Sequence, residues 1–179
     1  FISLGVLAAS SLPGDVPLLI PENGTISLNV PLTPSRRGSC STRTTHPFFM
    51  GSLESILRDV GVPVRLVNPL LGKTKGECVS GCLGQSVIAI TAKESRSCAK
   101  RGHTSHWVRS RTSEIDQCGR CVPCIFRRAA MHASGLDDEV YGNDICAGEV
   151  DLDSDGDLAN DLRAVLAFLA KNYSRDEIA

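Results

Sequence analysis

The stretch VPVRLVNPLLGKTKGECVSGCLGQ, Val62 to Gln85, decides the fold. It opens as an apolar run of strand length, Val62–Leu70, and passes into a polar segment, Lys73–Gln85, that reads as a helix. The same alternation appears upstream. Phe1–Gly14 (FISLGVLAASSLPG) reads as the end of a buried helix closed by Pro13-Gly14, and Val16–Ile20 (VPLLI) as a strand. Pro21–Asn29 is rich in turn formers and reads as a loop. In Gly51–Gly61 (GSLESILRDVG), Leu53, Ile56 and Leu57 share one face of a short helix that Gly61 stops. Helices alternating with strands predict an α/β fold with a parallel sheet, whose ligands bind at the carboxyl edge.

Downstream, Ser86–Ser95 (SVIAITAKES) reads as strand-like. Val122–Gly135 reads as a helix stopped by Gly135, and Asp157–Tyr173 as an amphipathic helix with an Asp-rich start. Three regions follow from this: an α/β part over 1–92, a cysteine-bearing subregion over 93–135 and an acidic helical tail over 136–179.

The chain has 179 residues, 42% of them hydrophobic and 22% charged, and a net charge of −1. That composition is globular, and the charge argues against a whole-protein grip on nucleic acid. The charges are unevenly spread. Lys93–Arg111 holds six basic residues and one acid; Asp137–Asp161 holds ten acids and no base. This asymmetry predicts a basic face near a ligand and a solvated acidic face. No stretch approaches a membrane span. FISLGVLAAS lacks the basic start of a secretion signal, and the missing initiator Met predicts a chain that begins inside a longer protein.

CGRCVPC, Cys118–Cys124, places three cysteines in seven residues. Two C-x-x-C steps bring thiolates to one tetrahedral ion, and Gly119 eases the turn. A ferredoxin-type run would carry a fourth cysteine at position 128, which is Arg. A structural zinc closed by a remote ligand fits better. The remote candidates are Cys98, Cys78, Cys82, Cys146, His103 and His106. Cys98 stands out because its surroundings, SRSCAKRG, are polar. Cys40, Cys78, Cys82, Cys146 and His132 otherwise read as packing residues.

The polar run SRRGSCSTRTTHP, Ser35–Pro47, offers Arg36, Arg37, Arg43, Thr42, Thr44, Thr45 and His46 around Gly38. Guanidinium forks and hydroxyls suit phosphate or acyl oxygens, and His46 suits general acid–base work. Glu22, Asn23, Ser27 and Asn29 flank the same sheet edge. Asp151–Leu162 matches a calcium loop at its first, third, fifth and sixth positions but ends in Leu162. It reads as the solvated cap of the last helix.

SCAK, the spacer, CGRCVPC and the arginines of IFRRAA together resemble the C-terminal zinc motif of the 7-cyano-7-deazaguanine synthase (QueC) family of PP-loop ATP pyrophosphatases. NPLLGKTKGECV resembles that family's strand and Lys-x-Glu helix start. The likeness runs from Phe1 to about Tyr141. The spacer is longer and more basic than the family's, and Pro21–Pro47 looks more like the QueC-like branch of bacterial anti-phage gene clusters. The phosphate signature SGGxDS is absent; SGCLGQS, from Ser80, is the nearest string.

The resemblance implies the C-terminal part of a PP-loop fold with a structural zinc on Cys98, Cys118, Cys121 and Cys124. It implies a cytoplasmic C–N ligase using ATP and magnesium to turn 7-carboxy-7-deazaguanine into an amide and then a nitrile, on the route to queuosine. The segment alone would be inactive. Arg43, His46 and Lys75 would be catalytic, with Glu22, Asn23, Arg37, Thr42, Arg43 and Thr44 binding nucleotide or substrate. The partners implied are ATP and the deazaguanine, a homodimer being compatible. In the defence branch the acceptor differs and protein partners join. From another class, a non-catalytic zinc-stabilised interaction module would use the basic loop to contact RNA or protein.

Overall fold

The computed structural model describes residues 1–28, 32, 45–82, 84–154 and 156–171. The chain divides into two compact units, Phe1–Pro31 with Arg37–Cys78, and Leu32–Arg36 with Val79–Ala179. The cysteine-bearing segment and the acidic tail therefore fall within one unit.

The first unit is a small α/β assembly. Helix α1 (Ile2–Ser10) leads to β1 (Leu18–Leu19), a short α2 (Gly24–Leu28), α3 (Pro47–Asp59), β2 (Leu66–Val67) and α4 (Lys75–Ser80), within which the division between units falls. The two strands pair in parallel, Leu18 opposite Leu66 and Leu19 opposite Val67. Val6 and Ala9 of α1 meet Met50, Leu53 and Leu57 of α3 over Val64 and Leu66.

Pro47 at the start and Gly61 at φ +78° beyond the end fix the bounds of α3. Ile56 is 58% exposed, so the buried stripe is Met50, Leu53 and Leu57 instead of the face through Ile56. Likewise α1 buries only Val6 and Ala9, leaving Leu4 and Leu7 exposed. The run expected to be a buried helix is apolar all round, yet one face alone has a partner here. Within the stretch read as a loop, Gly24–Leu28 is helical: Asn23 Oδ1 accepts the Ile26 N–H at 3.2 Å and starts α2.

Glu54 of α3 accepts the Leu66 N–H at 2.6 Å, which occupies the outer edge of β2 with a side chain. Gly24 donates to the Lys73 carbonyl at 2.7 Å, and a Cβ there would lie 2.0 Å from the Leu71 carbonyl oxygen. Gly24→Ala is expected to cost the first unit about 1–3 kcal/mol, measurable as a lower urea midpoint.

The second unit holds α5 (Gln85–Thr91), α6 (Val122–Ala133) and α7 (Asn160–Ala170), with long turns between them. Ser86–Thr91 is helix, not strand. The Val87 and Ile88 N–H groups both reach the Gly84 carbonyl at 3.0 Å, so an apolar run that has no strand beside it among the described residues closes its hydrogen bonds locally. The α6 helix ends as expected at Gly135, φ +68°, where Leu136 N–H returns to the Met131 carbonyl. Val122 and Ile125 pack with Val150, Leu162 and Val165.

Before α7 the Asp-rich turn folds around an arginine. Arg163 Nη1 donates to the Leu152 and Ser154 carbonyls, at 2.9 and 2.7 Å. Its Nη2 donates to Gly156 O and Asn160 Oδ1, at 3.0 and 2.6 Å. Among the described residues, no helix is long and apolar enough to cross a membrane.

Candidate metal centre

Cys98, Cys118, Cys121 and Cys124 bring their sulfurs within 4.8 Å of one another. Cys98 is thus the remote fourth ligand candidate; Cys78, Cys82, Cys146, His103 and His106 lie outside the cluster. Cys146 is exposed, contrary to the packing role read from the sequence.

Local structure explains the convergence. Gly119 sits at φ +77°, a conformation that lets Cys118 and Cys121 turn toward one point. A Cβ on it would meet Asn143 O at 2.1 Å. Cys121 then caps α6, with Pro123 in the first turn, and Cys124 lies one helical turn further on. Cys98 is held in register by two bonds across the spacer. Ser97 N–H reaches Gln117 Oε1 at 2.8 Å, and Cys118 N–H reaches Cys98 Sγ at 3.3 Å.

Segment 141–143 backs the turn: Gly142 N–H donates to Gln117 O at 2.8 Å and Asn143 N–H to Cys118 O at 3.1 Å. Tyr141 and Trp107 close the apolar side. A Cβ on Gly142 would meet the Trp107 ring at 2.4 Å, so this position requires glycine for a close approach. No motif marks these backing residues, because only the fold joins 107 and 141–143 to 118.

Cys118, Cys121 and Cys124 are fully buried. Cys118 Sγ and Cys124 Sγ are 3.9 Å apart. That is far beyond a disulfide and close to the edge, about 3.8 Å, of a tetrahedron with zinc–sulfur bonds of about 2.3 Å. Shared protons alone do not ionise four thiols together. Hydrogen bonds from the other sulfurs, Cys118 first, draw Cys98 far below the usual thiol range. The neighbouring sulfurs, again Cys118 first, hold Cys124 far above it. A divalent cation removes that conflict by stabilising every thiolate at once. The donor set and spacing are compatible with a closed, structural zinc site.

Part of the surrounding charge is paired internally, so the basic and acidic stretches are not wholly separate faces. Lys93 pairs with Asp138 at 2.7 Å, Lys100 with Asp161 at 3.3 Å, and Arg109 with Glu149 through both Nη atoms. Arg96, Arg101 and Arg111 all reach Asp116. The Arg101 guanidinium first, with Arg96 and Arg111 beside it, holds the Asp116 carboxyl well below the usual carboxylate range against the opposing effect of desolvation. Asp138, Glu149 and Asp161 of the acidic stretch are thus counter-charges of the basic one.

The other predicted site residues lie in the first unit or outside the described residues. Arg37, Thr42, Arg43 and Thr44, with Arg36, Gly38, Cys40 and Asn29, lie outside the described residues. Thr45 and Glu22 meet at the carboxyl edge of the sheet, where Thr45 Oγ1 donates to Glu22 Oε2. Ser27 Oγ and Thr45 Oγ1 share a hydrogen bond of 2.9 Å, and Asn68 Nδ2 donates to Ser27 Oγ at 2.9 Å and to Glu22 O at 2.8 Å. Asn68 is not singled out by the sequence; its place near the end of the second apolar run is the signal that would find it.

His46 Nδ1 accepts the Phe48 N–H at 3.3 Å and so caps α3. Lys75 begins α4, where Thr74 and Glu77 cap each other: Thr74 N–H reaches Glu77 Oε2 at 2.7 Å and Glu77 N–H reaches Thr74 Oγ1 at 3.2 Å. The Lys-x-Glu start therefore carries a capping box whose glutamate serves the helix.

No family model matches this chain, and neither curated proteins nor solved structures give a match.

Proposed function

We propose that this chain is the C-terminal part of a QueC-like PP-loop enzyme that activates a carboxylate with ATP, its C-terminal subregion held by a structural zinc. The observation that carries the reading is the four-sulfur cluster of Cys98, Cys118, Cys121 and Cys124, built from the segments that resemble the family's zinc motif. All four sulfurs are used in closing the site, so zinc would brace the fold and leave the chemistry to other residues.

Supporting this division of labour, the first unit gathers Glu22, Ser27, Thr45 and Asn68 at the carboxyl edge of a parallel pair. That is the edge at which open α/β sheets take ligands. Thr45, near the end of the polar run, is part of that group. In this reading Arg37, Thr42, Arg43 and Thr44 meet nucleotide or acyl oxygens. ATP and magnesium are bound by the full protein, and ammonia attacks the activated carboxylate of 7-carboxy-7-deazaguanine to give an amide and then a nitrile. A defence-type relative would apply the same activation to another acceptor.

The product of the complete gene, incubated with ATP, ammonium and 7-carboxy-7-deazaguanine, is expected to yield amide and nitrile by mass spectrometry. Arg43→Ala is expected to lower that turnover about 100-fold or more, the scale of losing a donor to developing negative charge. ATP consumption without nitrile would favour the defence-type acceptor. Bound zinc with no ATP consumption would leave a zinc-stabilised interaction module.

A further inference from the structure

Three arginines converge on one carboxylate in the second unit. Asp116 Oδ1 accepts from Arg111 Nε at 2.7 Å; Oδ2 accepts from Arg96 Nε at 3.0 Å and from Arg101 Nη2. The Asp116 side chain is 6% exposed, whereas those of Arg101 and Arg111 are 49% and 44% exposed. Three guanidinium charges against one carboxylate leave a local excess of two. Arg96 spends its Nη1 on the Lys93 and Ser95 carbonyls. Among the described residues, Arg111 keeps both Nη groups without a partner, and Arg101 keeps Nε and Nη1.

The buried carboxylate therefore anchors two guanidiniums and leaves their other donors directed away from it. Planar forks fixed in advance lose little freedom on meeting a tetrahedral oxyanion, and they suit phosphate better than a point charge does. We propose that Arg101 and Arg111, oriented by Asp116, bind the phosphate group of a small phosphorylated molecule.

The adjoining surface favours a compact ligand over a nucleic-acid strand. A cleft of about 510 Å³ has Arg96 on its wall and is otherwise lined in part by Glu94, Glu114, Asp138 and Glu139. Its Lys93 is already matched by Asp138, its Arg96 by Asp116 and its Glu139 by Arg127, which leaves Glu94 and Glu114 as the surplus. An extended polyanion would run from the arginines into surplus negative charge, whereas a molecule with one phosphate terminus would not. These arginines belong to the spacer between Cys98 and Cys118, and the proposal does not rest on the ATP-dependent reading above.

The test titrates the metal-retaining protein with inorganic pyrophosphate by calorimetry, with a single-stranded oligoribonucleotide as competitor. The comparison is Arg101→Gln/Arg111→Gln, checked for unchanged metal content and melting. Saturable pyrophosphate binding that weakens about tenfold or more in the double variant is expected, the scale of lost charge-assisted hydrogen bonds. Pyrophosphate held elsewhere in the protein would survive the double substitution, so only the arginine-dependent part counts. Should the double variant lose metal or melt early, Arg111→Lys decides, since it keeps the charge and removes the fork. Undiminished binding in the decisive variant, absence of saturable binding in the parent, or RNA binding that pyrophosphate does not displace would each overturn the proposal.

Discussion

A Cys121→Ser protein is expected to lose its metal and, with it, the cooperative unfolding of the second unit. Cys121 is fully buried, caps α6 and stands between the two other cysteines of its motif. Serine keeps the size but offers a hydroxyl that does not ionise near neutral pH, so one corner of the tetrahedron is lost. Structural zinc contributes apparent binding energies of about 10–16 kcal/mol in small domains, against about 5–15 kcal/mol for the stability of a whole domain. The second unit has only short helices joined by long turns, so the loss is large. Metal content by mass spectrometry and a melting curve report it, and a strong chelator should reproduce it in the parent. Cys98→Ser should behave alike, because its sulfur closes the same cluster. Cys146→Ser, at an exposed position, should change neither reading. Undiminished metal and melting in Cys121→Ser would remove the zinc assignment.

The second large effect is expected at Arg127, whose side chain is 3% exposed. Its Nε donates to Glu139 Oε2 at 2.7 Å and its Nη1 to Ser95 Oγ at 2.7 Å, while Nη2 reaches the Ala92 carbonyl. One guanidinium thus joins α6 to the turn after α5 and to the segment after α6. Gln117 and Tyr141 also donate to Glu139, so the carboxylate is built into the same knot as the backing of the cysteine cluster. Arg127→Ala leaves that carboxylate largely buried without its cation. The expected loss is about 3–5 kcal/mol, seen as a lower denaturant midpoint. Arg127→Lys keeps a charge but not the planar fork, and should fall between. Glu139→Gln combined with Arg127→Ala should cost less than the sum of the two, because the partners share one interaction.

Several elements were legible in the sequence for reasons that are local. Gly61 ends α3 and Gly135 ends α6, because each glycine acts on its own backbone, whereas α3 starts at Pro47, ahead of the Gly51 start read from the sequence. The two apolar runs from Val16 and Val62 each contain one of the paired strands, cut down to Leu18–Leu19 and Leu66–Val67, and the sulfur motif announces its own geometry through spacing. What escaped depends on neighbours distant in the chain. Ser86–Thr91 has strand-like residues but no strand beside it among the described residues, so it coils. Ile56 faces out because the stripe through Met50 is the one that meets α1. The charge blocks looked like separate faces, since sequence does not reveal that Asp161 folds back to Lys100 or Glu149 to Arg109. Trp107, Tyr141 and Asn143 carry no motif and become neighbours of the cysteines only through the turn at Gly119.

The arginine inside the Asp-rich turn before α7 bears on how that turn responds to its surroundings. A dissolved cation would come and go with its concentration, and the loop would open and close with it. Arg163 is tethered to α7 and fills three carbonyls of the loop itself. The turn is therefore anchored by a side chain of α7 itself. It works as a latch that the helix carries with it, in a place where the pattern of aspartates alone would suggest a sensor.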